Sequence, residues 1–177
     1  VRYDRLSQRW FIVAINTPPR PVTAASRSRV MIAVSSGPTI TNLASFTFFF
    51  FEHDLLLPAP PVSYNLGFYD YPTLGVDANA LYIGGVMFNA PTDTYLGASV
   101  FVVRKSSILG AGPMVVTPFH NVGTNSAGMY VPQGVQNDDP AATEGYFIGA
   151  DAVLLTRINM FRVTAPGATP VLSSLIT

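Results

Sequence analysis

The amino-acid sequence predicts an all-β fold, a partial β-propeller of about three four-stranded antiparallel blades. Three observations lead to this prediction: helix-breaking residues throughout the chain, short apolar runs between them, and one plan that occurs three times. Propeller blades are four-stranded sheets repeated with variable loops, so a repeated plan of short strands is typical of them. We expect blades over residues 1–65, 66–128 and 129–177, which together form one propeller segment.

The composition favours strands over helices. The 177 residues include 15 prolines and 14 glycines, and both residue types are unfavourable inside helices. Lys105 is the only lysine, and Glu52 and Glu144 are the only glutamates, so the residues that support solvated helix faces are scarce. Short apolar runs bounded by Gly, Pro, Asn and Asp indicate strands and turns instead.

The repeated plan is an entry strand ending in an acidic or amide residue, a turn, and an apolar strand led by an aromatic residue. The entry ends and leading aromatics are Asp4 and Phe11, Asp77 and Tyr82, and Gln136 and Phe147. The two further strands of each unit are predicted at 30–35 and 46–51, at 100–104 and 114–119, and at 154–158 and 171–176. Gly84 and Gly85 lie inside a predicted strand, where glycine indicates that a neighbouring chain approaches closely.

Three blades do not close a ring, because propellers typically have four to eight of them. An open ring also leaves strand edges bare. Since the sequence begins at Val1 without a methionine, we expect a fragment of a longer chain. The remaining blades of the same protein, or another protein chain, would then complete it. The strand at 46–51 is apolar on both faces, so we expect another protein to cover it if it is an outer strand.

Charge and cysteine content exclude several classes of function. Only 11% of the residues are charged, the formal net charge is zero, and no basic block occurs, so we expect no nucleic-acid partner. The apolar runs are far shorter than the roughly 20 residues that span a bilayer, so we expect no membrane span. The absence of cysteine excludes disulfides, thiol nucleophiles and thiolate metal sites.

Three stretches, at residues 3–11, 70–77 and 144–149, resemble blade segments of large secreted bacterial propellers that are loosely similar to the sialidase superfamily. The resemblance implies the propeller fold and an extracellular or cell-surface location in a bacterium. The Asp-box of sialidases, Ser-x-Asp-x-Gly-x-x-Trp, does not occur in this sequence. The resemblance therefore implies the architecture and not a glycosidase.

Asp70 and Tyr71 are the candidate ligand-binding residues. In a propeller the entry strand is innermost, and its start opens onto the central funnel, where ligands bind. A carboxylate there can accept a hydrogen bond from a sugar hydroxyl while the tyrosine ring stacks on the apolar face of the sugar. The structural alternative is that Asp70 caps a turn and Tyr71 packs between blades.

Two other acidic segments are candidates for metal or acid–base chemistry. Asp138 and Asp139 could ligate calcium, which is the only cofactor that the sequence suggests, or they could supply one carboxylate of a glycosidase pair. The alternative is that they stabilise an ordinary turn. Residues 52–54, Glu-His-Asp, follow the phenylalanine run, and in an extended strand at most the two carboxylates could converge. A polar strand end that limits aggregation is the alternative there.

The sequence thus predicts a non-catalytic extracellular structural or binding module whose ligand is a glycan or a protein, with no catalytic residues assigned. One alternative is part of a sialidase-like glycoside hydrolase whose remaining catalytic residues lie on missing blades, so enzymatic activity stays open. A second is a jelly-roll coat protein, which the lysine-poor composition, rich in Pro, Thr, Ser and Ala, also suggests.

Overall fold

The structure, a computed structural model, describes residues 1–16, 18–19, 22–110, 112–124, 126–154 and 156–177. Its described residues form twelve strands in three four-stranded antiparallel sheets. Short 3-10 turns lie at Leu43–Ser45, His53–Leu55, Val62–Tyr64 and Lys105–Ser107. The predicted all-β class and the three sheets of four strands are confirmed.

Each sheet is a meander whose neighbouring strands are consecutive in the chain. Sheet 1 contains β1 Arg2–Asp4, β2 Arg9–Ile15, β3 Arg29–Ser35 and β4 Phe46–Glu52. Sheet 2 contains β5 Phe68–Val76, β6 Ala80–Phe88, β7 Tyr95–Arg104 and β8 Val116–Gly123. Sheet 3 contains β9 Met129–Gly134, β10 Glu144–Asp151, β11 Ile158–Thr164 and β12 Val171–Leu172. The first and last strand of each sheet are therefore its edges.

Sheet 2 is the middle layer of the stack. One of its faces packs on sheet 1, where the rings of Phe51 and Phe101 lie 4.9 Å apart. Its other face packs on sheet 3, where Tyr82 and Phe147 lie 5.7 Å apart. Because both faces are covered, β6 and β7 are buried along nearly their whole length. Continuous apolar runs are typical of strands in that position.

Sheet 3 approaches sheet 2 closely at Gly84, the first residue of the predicted glycine pair. A Cβ on Gly84 would collide with the backbone of Pro132 in β9, and a Cβ on Gly85 would collide with the ring of Tyr69. The hydroxyl of Thr73 donates to the carbonyl of Pro132 at 2.7 Å and so links β5 to β9. The expectation that a neighbour approaches closely at this pair is confirmed: the neighbour is the β9 backbone at Gly84 and the Tyr69 ring at Gly85.

The third strand of sheet 3 lies later in the chain than predicted. It begins at Ile158, whereas the apolar run at 154–158 predicted it earlier; Leu155 lies outside the described residues. The Asp151 carboxylate accepts the backbone N–H groups of Val153 at 2.8 Å and Leu154 at 2.7 Å. This capped turn includes Leu154, the first residue of the predicted strand, because an aspartate can satisfy turn backbone groups that a strand would need to pair.

The leading aromatics of the repeat do not share one face. Phe11 and Tyr82 each point toward the following sheet, whereas Phe147 points back toward sheet 2. Since neighbouring side chains of a strand point to opposite faces, Tyr146 occupies the side that Phe11 and Tyr82 occupy in their sheets. The strand register nevertheless agrees with the alignment of the three aromatics. Arg2 pairs with Phe11, Gly75 with Tyr82 and Gly134 with Phe147, each two residues before the end of the entry segment.

The acids that end the first two entry strands cap the turns that follow them. The carboxylate of Asp4 accepts the N–H groups of Leu6 and Ser7, and that of Asp77 accepts those of Asn79 and Ala80. Lys105 lies between the two acids and is only 4% exposed. Its Nζ donates to the Asp4 carboxylate at 2.8 Å and to the Asp77 carbonyl. A buried cation thus joins sheet 1 to sheet 2.

Candidate functional site

Asp70 and Tyr71 lie at a β-bulge in β5. Asp70 pairs with Val86 and Thr73 pairs with Gly84, so β5 carries one extra residue between these pairs. Tyr71 has a φ of 53°, which is uncommon for a residue with a side chain. Asp70 Oδ1 accepts the Tyr71 N–H at 2.7 Å and holds the bulge. Bulges often redirect a side chain next to a functional site, and here the Tyr71 ring is 61% exposed.

The Tyr71 ring belongs to a group of rings that we call the aromatic strip: Tyr71, Phe88, Tyr95 and Tyr130. The Phe88 ring centre lies 6.5 Å from that of Tyr71 and 6.1 Å from that of Tyr95, and Tyr95 lies 5.7 Å from Tyr130. Phe68 supports the strip by stacking on Phe88 at 5.4 Å. Four aromatic rings from four strands therefore form one continuous row beside Asp70.

Sequence reasoning missed three members of this strip. Phe88, Tyr95 and Tyr130 lie on β6, β7 and β9, and only strand pairing and sheet packing bring them next to Tyr71. Each is an ordinary strand aromatic in the sequence. Two of the three could have been found from the sequence. Phe88 and Tyr95 flank the turn between β6 and β7, so they pair directly across it.

The Tyr95 hydroxyl is an unusual polar group in the strip. It is buried and has no hydrogen-bond partner among the described residues. Burial raises the pKa of Tyr95 to about 12, so the hydroxyl keeps its proton at neutral pH and can donate it. Buried polar groups are almost always paired, so this hydroxyl is suited to pairing with an enclosed water molecule.

A polar groove adjoins the bulge. It has a volume of about 250 Å³ and begins at Pro72, the residue after Tyr71. Its lining includes Arg2 from β1, Thr73 from β5 and Gln133 from β9. The first strand of each sheet therefore contributes to one groove, and Asp70 and Tyr71 lie beside its end.

Asp138 and Asp139 lie in the loop between β9 and β10. Asp138 accepts a hydrogen bond from the Gln136 amide at 2.9 Å, and Asp139 accepts the Ala141 N–H at 2.8 Å. These are contacts of an ordinary turn. Among the described residues, no group of three or more His, Asp or Glu side chains is placed to hold a metal ion. Calcium at Asp138 and Asp139 stays a prediction.

The segment at residues 52–54 forms an ion-pair cluster. Glu52 ends β4, and a 3-10 turn begins at His53. The carboxylates of Glu52 and Asp54 converge, but they do so on the guanidinium of Arg27. Arg29 also donates from Nε to Glu52 at 3.0 Å. Both carboxylates are thus neutralised by arginine, which supports the structural role of a polar strand end.

Acidification is expected to destabilise the fold between about pH 6.5 and pH 4. Burial lowers the pKa of His53, and burial also lowers the pKa of His120, to about 4. In the unfolded chain both imidazoles titrate near 6.5, so the unfolded state binds more protons and stability falls as the pH drops. The melting temperature measured from pH 7.5 to 4.5 tests this; the loss should be smaller in His120→Gln. A melting temperature that is constant over this range would contradict the expectation.

Comparison with known protein families, characterised proteins and solved structures finds no match to the chain. Within the part of the chain that the structure describes, no helix is long and apolar enough to cross a membrane. The function is therefore argued from the geometry of the chain itself.

Proposed function

We propose that the chain is three consecutive blades of a β-propeller and serves as a non-catalytic extracellular module that binds carbohydrate. The row of aromatic rings beside Asp70, exposed at its two ends, Tyr71 and Tyr130, and half-buried between them, is the observation that carries this function. Two arrangements support the propeller frame: the sheets stack face to face in chain order, and their first strands β1, β5 and β9 line one groove. In a propeller the first strands surround the central channel in this way.

The chemistry of the aromatic strip suits sugars. Aromatic rings offer large apolar faces, on which the C–H groups of a sugar ring can pack, and tyrosine adds a hydroxyl at the edge. Tyr71 and Tyr130 are the most exposed rings of the strip, at its two ends. The Asp70 carboxylate, whose Oδ1 accepts the Tyr71 N–H, supplies an acceptor for sugar hydroxyls. A row of several rings fits an oligosaccharide better than a single sugar.

A binding role is favoured over hydrolysis because the strip offers no evident pair of catalytic carboxyl groups. Glycosidases place two carboxyl groups about 5–9.5 Å apart across the bond that they cleave. Asp151, which pairs with Met129 beside Tyr130, caps a turn and accepts a hydrogen bond from Asn159 at 3.0 Å. Its carboxylate is therefore engaged in holding the loop after β10.

The jelly-roll alternative finds little support in the strand order. A jelly roll consists of two sheets built from Greek keys, in which a long connection returns a strand beside an earlier one. Here each of the three sheets pairs only strands that are consecutive in the chain. A stack of meanders is what successive propeller blades provide.

Replacing Tyr71 or Tyr130 by alanine is expected to weaken carbohydrate binding about 3- to 10-fold each. This is the effect of losing one ring contact of about 0.5–1.5 kcal/mol. A glycan array would identify binders, and calorimetry with cellohexaose, xylohexaose and chitohexaose would measure the affinities. Asp70→Asn should keep the bulge and weaken binding less than either ring removal.

The matched control is Tyr146→Ala, which removes a tyrosine from sheet 3 outside the strip. It should leave the affinity unchanged. Absence of binding to any glycan, or an equal loss in Tyr146→Ala, would refute the strip as a carbohydrate site. Hydrolysis of aryl glycosides that is lost in Asp70→Ala would show instead that the module is catalytic.

A further inference from the structure

The β-bulge at Tyr71 in β5 has a counterpart in β9. In each of these first strands, two residues lie opposite a single glycine of the next strand. They are Tyr71 and Pro72 opposite Gly85, and Val131 and Pro132 opposite Gly149. The first residue of each bulge has a positive φ, 53° for Tyr71 and 46° for Val131. Two neighbouring sheets therefore share one local irregularity, a left-handed residue followed by proline.

The backbone at Val131 is strained. A positive φ is a genuine outlier for a β-branched residue. Conformations of this kind cost free energy, persist only where the surrounding structure enforces them, and cluster at active sites and ligand-binding sites. Bulges are also frequent beside active sites. The pair of bulges therefore indicates a functional surface between β5 and β9.

Both bulges border the polar groove of about 250 Å³. Pro72 and Thr73 line it from β5, and Gln133, the residue after the second bulge, lines it from β9. The aromatic strip ends at the same two bulges, because Tyr71 belongs to the first and Tyr130 precedes the second. Consecutive Cα atoms are 3.8 Å apart, so the Cα atom of Gln133 lies within about 11 Å of that of Tyr130. An oligosaccharide bound on the strip would therefore extend into the groove.

Arg2, on β1, is the residue with a charged side chain in the lining of the groove. Its guanidinium makes one long hydrogen bond, to the Val1 carbonyl at 3.4 Å, and forms no ion pair with a carboxylate of the described residues. Other cationic side chains of the described chain do pair with carboxylates: Arg5, Arg27, Arg29, Lys105 and Arg162. Because a guanidinium has five N–H donors, most of those of Arg2 remain open to a ligand in the groove.

The other polar side chains of the groove fit the same kind of ligand. The Thr73 hydroxyl is already used by backbone groups of β6 and β9. The Gln133 amide donates one N–H to the Val131 carbonyl at 3.1 Å, which leaves its second N–H for a ligand. A guanidinium binds planar anions through two parallel N–H bonds. Arg2 and Gln133 together are therefore suited to an anionic group and a neighbouring oxygen.

Asp70 determines which end of the groove suits the anion. It lies before the first bulge, on the side of the aromatic strip, and is not among the residues that line the groove. Its carboxylate repels an anion, although salt at 0.1 M screens exposed charges beyond about 10 Å. The anionic group of a ligand therefore fits beside Arg2, and neutral hydroxyl groups fit beside Asp70.

We infer that the polar groove and the aromatic strip bind an acidic oligosaccharide, with Arg2 holding a carboxylate or sulfate group of the sugar. Gln133 donates to a neighbouring oxygen, and the rings of the strip pack on the adjoining sugar residues. This inference rests on the proposed carbohydrate function and names the class of sugar.

Calorimetry at pH 7 and low salt, with hexasaccharides that differ only in charge, tests the inference. Hexagalacturonate is compared with its methyl ester, and sulfated neocarrahexaose with its desulfated form. We expect one acidic sugar to bind about tenfold more tightly than its neutral counterpart, because it gains a charge-assisted contact with Arg2. Higher ionic strength should reduce this difference, since salt screens exposed charges.

Arg2→Gln removes the charge and should abolish the preference for the acidic sugar. The matched control is Arg5→Gln, because Arg5 is an exposed arginine that pairs with Asp138 and does not line the groove. The control should retain the preference. Both replaced side chains are exposed, so both variants should retain the fold, which circular dichroism verifies.

Equal affinities for the acidic and neutral sugars overturn the inference, as does a preference that Arg2→Gln retains or that Arg5→Gln abolishes equally. In these cases the carbohydrate site itself stands if Tyr71→Ala weakens the binding of neutral hexasaccharides. If neither acidic nor neutral sugars bind, both the inference and the proposed function are wrong. Where the inference holds, the sugar that shows the preference identifies the anionic group as a carboxylate or a sulfate.

Discussion

Lys105→Met is expected to lower the free energy of unfolding by about 3–5 kcal/mol, the usual effect of breaking a buried ion pair. Methionine preserves most of the volume of the lysine side chain, so the loss comes from the charge. The Asp4 carboxylate, fully buried, would lose the ammonium that lies 2.8 Å away. The Asp77 carbonyl would lose the same donor. Urea denaturation at pH 7 measures the change.

The state of Asp4 provides an internal check on this prediction. Burial raises the pKa of the Asp4 carboxyl, but hydrogen bonds from Lys105 and Ser7 outweigh burial and hold the pKa below its ordinary value of 3.8. The wild-type stabilisation from this group is therefore present above pH 3.8 and is lost as the pH falls below it. In Lys105→Met the pKa of Asp4 should rise, so its folded state binds a proton more readily and the variant should lose less stability than the wild type as the pH falls.

Two control variants separate the buried pair from a general effect of lost charge. Adding Asp4→Asn to Lys105→Met removes the unpaired carboxylate and should recover part of the stability. Arg5→Met breaks an exposed pair with Asp138 at 4.0 Å, and exposed pairs contribute less than about 1 kcal/mol. The proposed role of Lys105 is wrong if Arg5→Met lowers the free energy of unfolding as much as Lys105→Met does. It is also wrong if Lys105→Met leaves the free energy of unfolding unchanged.

Gly84→Ala is expected to lower the free energy of unfolding by at least about 2 kcal/mol, because it inserts a methyl group between two packed sheets. The space for that methyl group is filled by the Pro132 carbonyl of β9, with the Thr73 hydroxyl at 2.9 Å. Relief would require moving the backbone of sheet 3 away from sheet 2. Thermal and urea denaturation measure the loss.

Gly110→Ala is the matched control for Gly84→Ala. A Cβ on Gly110 would meet no atom within 4 Å, so the change should lie within about 0.5 kcal/mol of zero. A Gly84→Ala protein as stable as the wild type would mean that the two sheets can separate at little cost. If both variants lose the same stability, the cause is the replacement of a glycine as such and not contact with sheet 3.

Strand content was predictable from the sequence because local patterns encode it. Residues 100–103 and 81–85 are continuous runs without a charged or amide side chain, and the strands β7 and β6 contain them. Gly84 and Gly85 were recognisable because glycine weakens the interior of a strand and is typical of places where another backbone comes close. The first two turn acids were recognisable because Asp4 and Asp77 act within a few residues of their own position. In each case the physical cause is local.

The predictions failed where a competing local interaction or the packing of a sheet face decided the outcome. The apolar run at 154–158 predicted a strand, but Asp151 caps a turn there. Phe147 has the same strand register as Phe11, but its side chain packs back on sheet 2 instead of pointing onward. The apolar pattern of a short strand does not specify which of its two faces packs against another sheet until that sheet is known.

Asp70 and Tyr71 could be selected from the sequence, but the rings that accompany them could not. The sequence by itself determined an all-β chain of three four-stranded units, low in charge and without cysteine, because composition and periodicity act over a few residues. Only the tertiary structure decided which rings form the aromatic strip, which cation holds Asp4 and Asp77, and which residues line the polar groove. Those features depend on contacts between residues as far as 101 positions apart, and sheet stacking, rather than local pattern, creates them.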